Sequence, residues 1–193
     1  MFRRDCLQTN PFINVDQTTF SHDIYILDSM RQNINNSLAR LDLSNVKSIL
    51  EIGPSQDETK RFNYLRILKN VDYETLNIVN DGSTYCHDIT NPFPENFKKF
   101  DLILLSEVLE HTLNPFSVMK NLAMILSPRG RIFVSFPFNF RLHGPLPDCW
   151  RISEFGFKSI INESGLKIES LEALTLEERP YFPIHYTSIV THE

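Results

Sequence analysis

The stretch Val46-Lys-Ser-Ile-Leu-Glu-Ile-Gly-Pro54 is a short, mostly apolar run closed by a glycine and a proline. An apolar run of this length without alternation suits a strand covered on both faces, as the strands of a parallel sheet are. Asp57 and Glu58 then open a helical segment, their charge suiting the positive end of a helix dipole, with Phe62, Leu65 and Leu68 on one face. Strand, tight turn and helix in that order form the unit from which an α/β sheet is built.

Downstream the alternation continues. Thr75 to Val79 reads as a second strand, Ser83 to His87 as a short third ending at Asp88, and Asp101 to Leu105 as a strongly apolar fourth. A helix from about Pro115 to Leu126 follows, then a turn at Ser127-Pro-Arg-Gly130 and a fifth strand from Arg131 to Phe136. Ser153 and Gly165 stand where the N-cap and C′ residue of a further helix belong, with Ile160 and Ile161 facing inward. Two last strands, Lys167 to Ala173 and Ile184 to Thr191, have no helical pattern between them and therefore pair antiparallel, because a parallel return needs a crossover. The expected fold is α/β: a Rossmann-like, doubly wound, mostly parallel seven-stranded sheet that ends in an antiparallel hairpin, with helices on both faces. Its ligand crevice lies at the carboxyl ends of the strands.

Upstream, Ile24, Leu27, Met30, Ile34, Leu38 and Leu41 recur every three or four residues, one helical stripe preceded by the possible caps Thr18, Thr19 and Ser21. Residues 1–45 are thus an amino-terminal helical extension or lid, and residues 46–193 the sheet domain. The 193 residues carry 41% hydrophobic and 22% charged side chains, which suits one globular domain. The net charge of −5 repels polyphosphate and argues against nucleic acid as a partner. Cys6, Cys86 and Cys149 form an odd set without C-x-x-C spacing, which fits a reducing cytoplasm better than a disulfide framework. No stretch approaches the roughly 20 apolar residues of a membrane span, and the charged start lacks the apolar core of a signal peptide. The six histidines show no metal spacing such as H-E-x-x-H, so no metal is expected.

Four segments carry a family resemblance: Ile49-Leu-Glu-Ile-Gly-Pro54; His87-Asp-Ile-Thr90 with Asn91-Pro-Phe-Pro94; Phe100-Asp-Leu-Ile-Leu-Leu-Ser-Glu-Val-Leu-Glu-His111; and Leu126-Ser-Pro-Arg-Gly-Arg-Ile-Phe-Val-Ser-Phe-Pro137. In that order the chain resembles the class I S-adenosylmethionine-dependent methyltransferases, in particular those whose fourth strand ends in a Leu-Glu-His motif. The resemblance implies S-adenosylmethionine as cofactor. It implies Glu51 near the methionine amino group, with Gly53 and Pro54 in the turn beneath the ligand and Asn77 where the family has an acidic ribose ligand. Asp88 and Ile89 would stand at the adenine, and Ser106 and Glu107 under the methionine moiety. The segment His143-Gly-Pro-Leu-Pro-Asp-Cys-Trp-Arg151 resembles a feature of methyltransferases encoded near cell-surface polysaccharide genes, which implies a small-molecule or saccharide acceptor and a role in surface glycan biosynthesis.

Two departures stand out. Glu51-Ile-Gly-Pro-Ser-Gln-Asp57 keeps only the first glycine of the family's E/D-x-G-x-G-x-G and places a proline beside it, which removes a backbone donor and stiffens the loop. That loop suits a ligand without phosphate better than a dinucleotide. Asn77 has an amide in place of a carboxylate. The alternative these departures leave open is a non-catalytic, methyltransferase-like binding or scaffold protein.

Methyl transfer from a sulfonium relies mainly on positioning, so few side chains need to be chemical. A hydroxyl acceptor gains from a base, and His111 and His143 lie in loops after the fourth and fifth strands. Asp148, Trp150 and Arg151 read either as an acceptor pocket, with an aromatic platform and charged groups, or as a loop anchored by Trp150 and a local ion pair. The oligomeric state is open, a homodimer among the options.

Overall fold

The computed structural model describes residues 21–55, 65, 68–176 and 179–193. Its elements are helix α1 (Ser21–Ala39), strands β1 (Ser48–Ile52), β2 (Asp72–Asn77), β3 (Tyr85–Cys86) and β4 (Phe100–Ser106), a 3-10 turn (Leu109–His111), helix α2 (Pro115–Met124), strand β5 (Leu126–Pro137), helix α3 (Glu154–Glu163), and strands β6 (Leu166–Leu176) and β7 (Arg179–His192). The seven strands form one sheet in the order β3-β2-β1-β4-β5-β7-β6. Strands β1 to β5 run parallel, and β7 pairs antiparallel with both β5 and β6. The strand order reverses between β1 and β4, where a crevice is expected to open.

Alternate residues of the central strands feed two cores, as the pleat requires. Leu102 and Leu104 of β4 join Ile49, Phe133 and Ile189 under Ile34 and Leu38 of α1 and under Leu65. Ile103 and Leu105 join Leu50, Ile132 and Val134 on the opposite face, under Val118, Met119 and Leu122 of α2 and Phe157, Ile160 and Ile161 of α3. The apolar run at Leu102–Leu105 is therefore continuous because both of its faces are covered. Of the α1 stripe, Met30, Ile34 and Leu38 are buried, and Leu41 packs partly buried just past the helix end. Ser21 is the first helical residue. Thr18, Thr19, the side chains of Ile24 and Leu27, the expected helix opening at Asp57 and Glu58, and Cys6 lie outside the described residues.

Local chemistry sets the boundaries. Ser153 caps α3 by accepting from Gly156 N at 3.2 Å, and Gly165 follows the helix at φ +70°. Strand β2 begins three residues earlier than the pattern predicts, because its polar residues Asp72 and Glu74 hide the alternation while both pair with Lys98. It ends at Asn77, whose Oδ1 accepts from Ile78 N at 2.8 Å.

Ser127-Pro-Arg-Gly130 is a correction: it is a bulge within a continuous β5, and no turn precedes the strand. Phe100 pairs with Leu126 and Leu102 with Arg131, so these four residues stand opposite Asp101 alone. A bulge tolerates Pro128, which has no N–H to give the ladder. Gly130 fits there because an added Cβ would lie 2.9 Å from Phe100 O.

Candidate functional site

A cleft of about 580 Å³ opens over the carboxyl ends of β1, β2 and β4, between α1 and the loop that follows β5. Its volume is typical of small-ligand sites. Glu51, Gly53, Pro54, Asn77, Asp88, Ile89, Ser106, Glu107, His111 and His143 all line it. Met30 and Ile34 of α1 and Phe140, Gly144 and Pro145 of the later loop complete the wall.

The turn after β1 brings backbone to the cleft floor. Gly53 sits at φ +63°, its N–H donates to Leu76 O at 2.8 Å, and a Cβ there would approach Val108 Cγ2 to 2.8 Å. Only glycine combines that dihedral with that clearance. Glu51 is 4% exposed and accepts from Tyr73 Oη at 2.8 Å. Asp88 Oδ1 accepts from Thr90 N at 2.9 Å and from Thr90 Oγ1 at 2.7 Å, which fixes the carboxylate beside Ile89. The Asn77 amide donates to Asp81 Oδ2 at 2.7 Å.

At the end of β4 the chain turns through Glu107, a non-glycine residue at φ +55°. Left-handed backbone of this kind persists only where its surroundings over-determine it. The determinants are visible: Glu107 N donates to Ser135 O at 3.0 Å, and Glu107 Oε1 accepts from Ser135 Oγ at 2.8 Å and meets His185 Nε2 at 2.7 Å. Burial pushes this carboxyl up, but the facing His185 and the bonds from His185 and Ser135 outweigh it and hold Glu107 below its ordinary value. Asn33 Nδ2 of α1 lies 3.4 Å from His185 Nδ1, so helix and strand support the same imidazole.

The 3-10 turn carries Glu110 and His111. Glu110 is fully buried, and among the described residues neither of its carboxylate oxygens has a hydrogen-bond partner. Burial, and next the charge of Glu107, raise its carboxyl well above the ordinary value. Glu110 Oε1 lies 3.6 Å from His111 Nε2 and 3.7 Å from His143 Nε2. His111 Nδ1 lies 3.1 Å from Pro147 O, which as a carbonyl only accepts, so Nδ1 carries the proton and Nε2 the lone pair. Burial lowers the His111 pKa further than the Pro147 carbonyl raises it.

The loop from Phe138 to Ile152 is built from within. Arg151 donates to both Asp148 oxygens, at 2.6 and 2.7 Å, and to the carbonyls of Phe140, Arg141 and Trp150. Those contacts use all five guanidinium donors. Burial raises Asp148, but its bonds from Arg151 and from His143 N outweigh it and hold the carboxyl low. Trp150 Nε1 donates to Thr112 O at 2.8 Å. Asp148, Trp150 and Arg151 stand outside the cleft lining; Asp148 and Arg151 bond within the loop that presents His143, and Trp150 ties that loop to Thr112. Sequence reading passed over Glu110, His185 and Ser135. Glu110 was in view inside the Leu-Glu-His motif, three residues after Glu107 and so one turn further on.

A sheet in this order, with its cleft over β1, β2 and β4, is the fold of a class I S-adenosylmethionine-dependent methyltransferase. The chain belongs to the family described as a methyltransferase domain, which matches residues 23–171, and S-adenosylmethionine is the cofactor of that fold.

Among solved structures, the chain is similar to the mitomycin 7-O-methyltransferase MmcR, at a TM-score of 0.59 and 13% identity over 89% of this chain and 55% of that one. It is similar to the O-methyltransferase NcsB1 from neocarzinostatin biosynthesis, in complex with S-adenosyl-L-homocysteine and 1,4-dihydroxy-2-naphthoic acid, at 0.60 and 12% over 90% and 58%. A third likeness is to the Burkholderia thailandensis 1,6-didemethyltoxoflavin-N1-methyltransferase with bound 1,6-didemethyltoxoflavin and S-adenosylhomocysteine, at 0.60 and 14% over 89% and 82%. At these identities the likeness is one of fold. The chain spans little more than half the length of the first two. No curated protein matches by sequence. Among the described residues, no helix is long and apolar enough to cross a membrane.

Proposed function

We propose that the protein transfers a methyl group from S-adenosylmethionine to an oxygen of a small-molecule acceptor. The observation that carries this reading is that one cleft is lined both by the Gly53 turn with Asp88 and by the His111–His143 pair. The residues fit the cofactor, since the Gly53 turn, at φ +63°, and the Asp88 carboxylate, fixed by its two bonds from Thr90, line the same cleft. Glu51 would meet the methionine amino group, Asn77 the ribose, Asp88 and Ile89 the adenine, and Ser106 and Glu107 the methionine chain. The bound sulfonium supplies an already activated methyl group, so the protein's task is alignment.

His111 and His143 stand at the acceptor end with rings 4.9 Å apart, edge to face. With its pKa lowered, His111 is neutral at pH 7 and suits a base or acceptor contact. A saccharide acceptor in surface glycan biosynthesis is the narrower form of this proposal. It draws its support from the loop sequence, whereas the internal bonding of Asp148 and Arg151 favours a positioning role for them. Helix α1 serves as the flank of the cleft through Met30 and Ile34.

Calorimetric titration with S-adenosylmethionine and S-adenosylhomocysteine tests the reading. Heat of binding from both is expected, and its loss is expected in Asp88→Ala. No heat at millimolar ligand, together with a stable complex with another protein, would replace the enzyme with the scaffold alternative.

A further inference from the structure

We propose that Glu110, His111 and His143 bind a divalent first-row transition-metal ion, of the manganese-to-zinc class, at the acceptor end of the cleft. One ligand atom from each of the three lies within 4.8 Å of the other two. Donors held about 2.1 Å from a common ion sit about 3.0–3.4 Å apart in octahedral or tetrahedral geometry, so the observed separations close onto an ion with small side-chain movements.

Three further observations point the same way. The fully buried Glu110 carboxylate faces both imidazoles, and among the described residues its oxygens have no hydrogen-bond partner. Such a group is costly unless something compensates it, and a cation between it and two imidazoles would do so. Each histidine also has its far nitrogen against an oxygen, as metal-binding histidines do. His111 Nδ1 faces Pro147 O at 3.1 Å. His143 Nδ1 lies 3.1 Å from Asp148 Oδ2, close but off the line of a hydrogen bond. The His111 arrangement leaves its Nε2 with the lone pair toward Glu110, and His143 Nε2 lies 3.7 Å from the same carboxylate. Finally, Arg151 holds Asp148 with two bonds, so the outer support is itself supported.

Two imidazoles and one carboxylate favour transition ions over magnesium or calcium, which prefer all-oxygen sites. Three protein ligands also leave coordination positions open. Because His111 and His143 line the cleft while Glu110 lies behind them, those positions face the acceptor. A bound ion supplies Lewis acidity that lowers the pKa of a hydroxyl. This role rests on the methyl-transfer reading; the existence of the site does not.

The test uses the untagged full chain, stripped with chelator and dialysed. Co²⁺ is titrated in while its visible d–d absorption is followed, and Mn²⁺ is titrated by calorimetry. One ion per chain at micromolar affinity is expected, with a rise in melting temperature on Co²⁺ addition. Glu110→Gln keeps the shape of the side chain, and it and His143→Ala should each weaken binding at least tenfold. Absence of Co²⁺ and Mn²⁺ binding at millimolar concentration, or undiminished affinity in both variants, overturns the site. Titration of S-adenosylmethionine into the metal-free protein is run in parallel. Cofactor heat without metal binding sinks the metal site and leaves the methyltransferase reading standing. Metal binding without cofactor heat does the reverse.

Discussion

Gly53→Ala tests the cleft floor at the point where two costs coincide. Alanine must adopt φ +63°, and left-handed backbone costs an L-residue about 1–2 kcal/mol. Its Cβ would also lie 2.8 Å from Val108 Cγ2, with Val108 Cγ1 4.0 Å away. Relieving such overpacking costs about 1–3 kcal/mol. Together the two terms give about 2–5 kcal/mol, a large share of the 5–15 kcal/mol typical of a domain. With a urea slope of about 2 kcal/mol per molar, the unfolding midpoint should fall by about 1–2.5 M. Val108→Ala removes both atoms that the new Cβ approaches and separates the terms in a double-mutant cycle. The double variant should recover about 1–3 kcal/mol relative to additivity, leaving the backbone cost alone. Urea denaturation of the four proteins measures this, with S-adenosylhomocysteine affinity as a second readout of the same turn. Additivity within about 0.5 kcal/mol would refute the contact, and a single-variant loss below that size would refute both terms.

Three further outcomes are expected. Arg151→Met strands the Asp148 carboxylate, whose side chain is 0% exposed, at a cost of about 3–5 kcal/mol; adding Asp148→Asn should restore part of that, while cofactor affinity in the single variant changes little. Asp101 Oδ2 accepts from Lys47 N, Ser48 N and Ser48 Oγ at 2.9 to 3.3 Å. Burial raises this carboxyl, but bonds from Lys47, Ser127 and Ser48 outweigh it and leave the value lowered. A lowered carboxyl stabilises above its unfolded pKa of about 3.9 and loses that contribution as pH falls through the folded value. Asp101→Asn should therefore cost about 1 kcal/mol at pH 7 and progressively less below pH 4, and a deficit independent of pH in urea midpoints would count against this. Ser153→Ala removes the cap on Gly156 N and should cost about 1 kcal/mol by thermal unfolding, with rescue by Asp.

The parallel core was legible because its strands are buried on both faces, so Leu102 to Leu105 is an unbroken apolar run and Ile49 to Ile52 is apolar but for Glu51. The closing hairpin was legible from the missing crossover. Strand β2 was placed less well because Lys98 answers the charges of Asp72 and Glu74 in space, and periodicity does not register such pairing. The same limit explains Ser127 to Gly130, where turn chemistry describes a bulge equally well. Eight site residues read from the family pattern line one cleft with the two histidines read from their loops, but the partners that orient Glu107 and His111 come from strands and loops distant in sequence. His185 meets Glu107 across 78 positions, and only the β5–β7 pairing brings them together. For Asp148 and Arg151, residue type alone left both a pocket and a local ion pair open, and it could not show that all five guanidinium donors are occupied within the loop.

The carbonyl of Glu110 accepts two amides from the later loop, Cys149 N at 2.8 Å and Trp150 N at 3.2 Å. One residue thus anchors that loop through its main chain while its side chain confronts the histidine pair. Anyone redesigning this molecule for a bulkier acceptor should transplant both segments as a single cassette, because a loop exchanged by itself would arrive without its mooring.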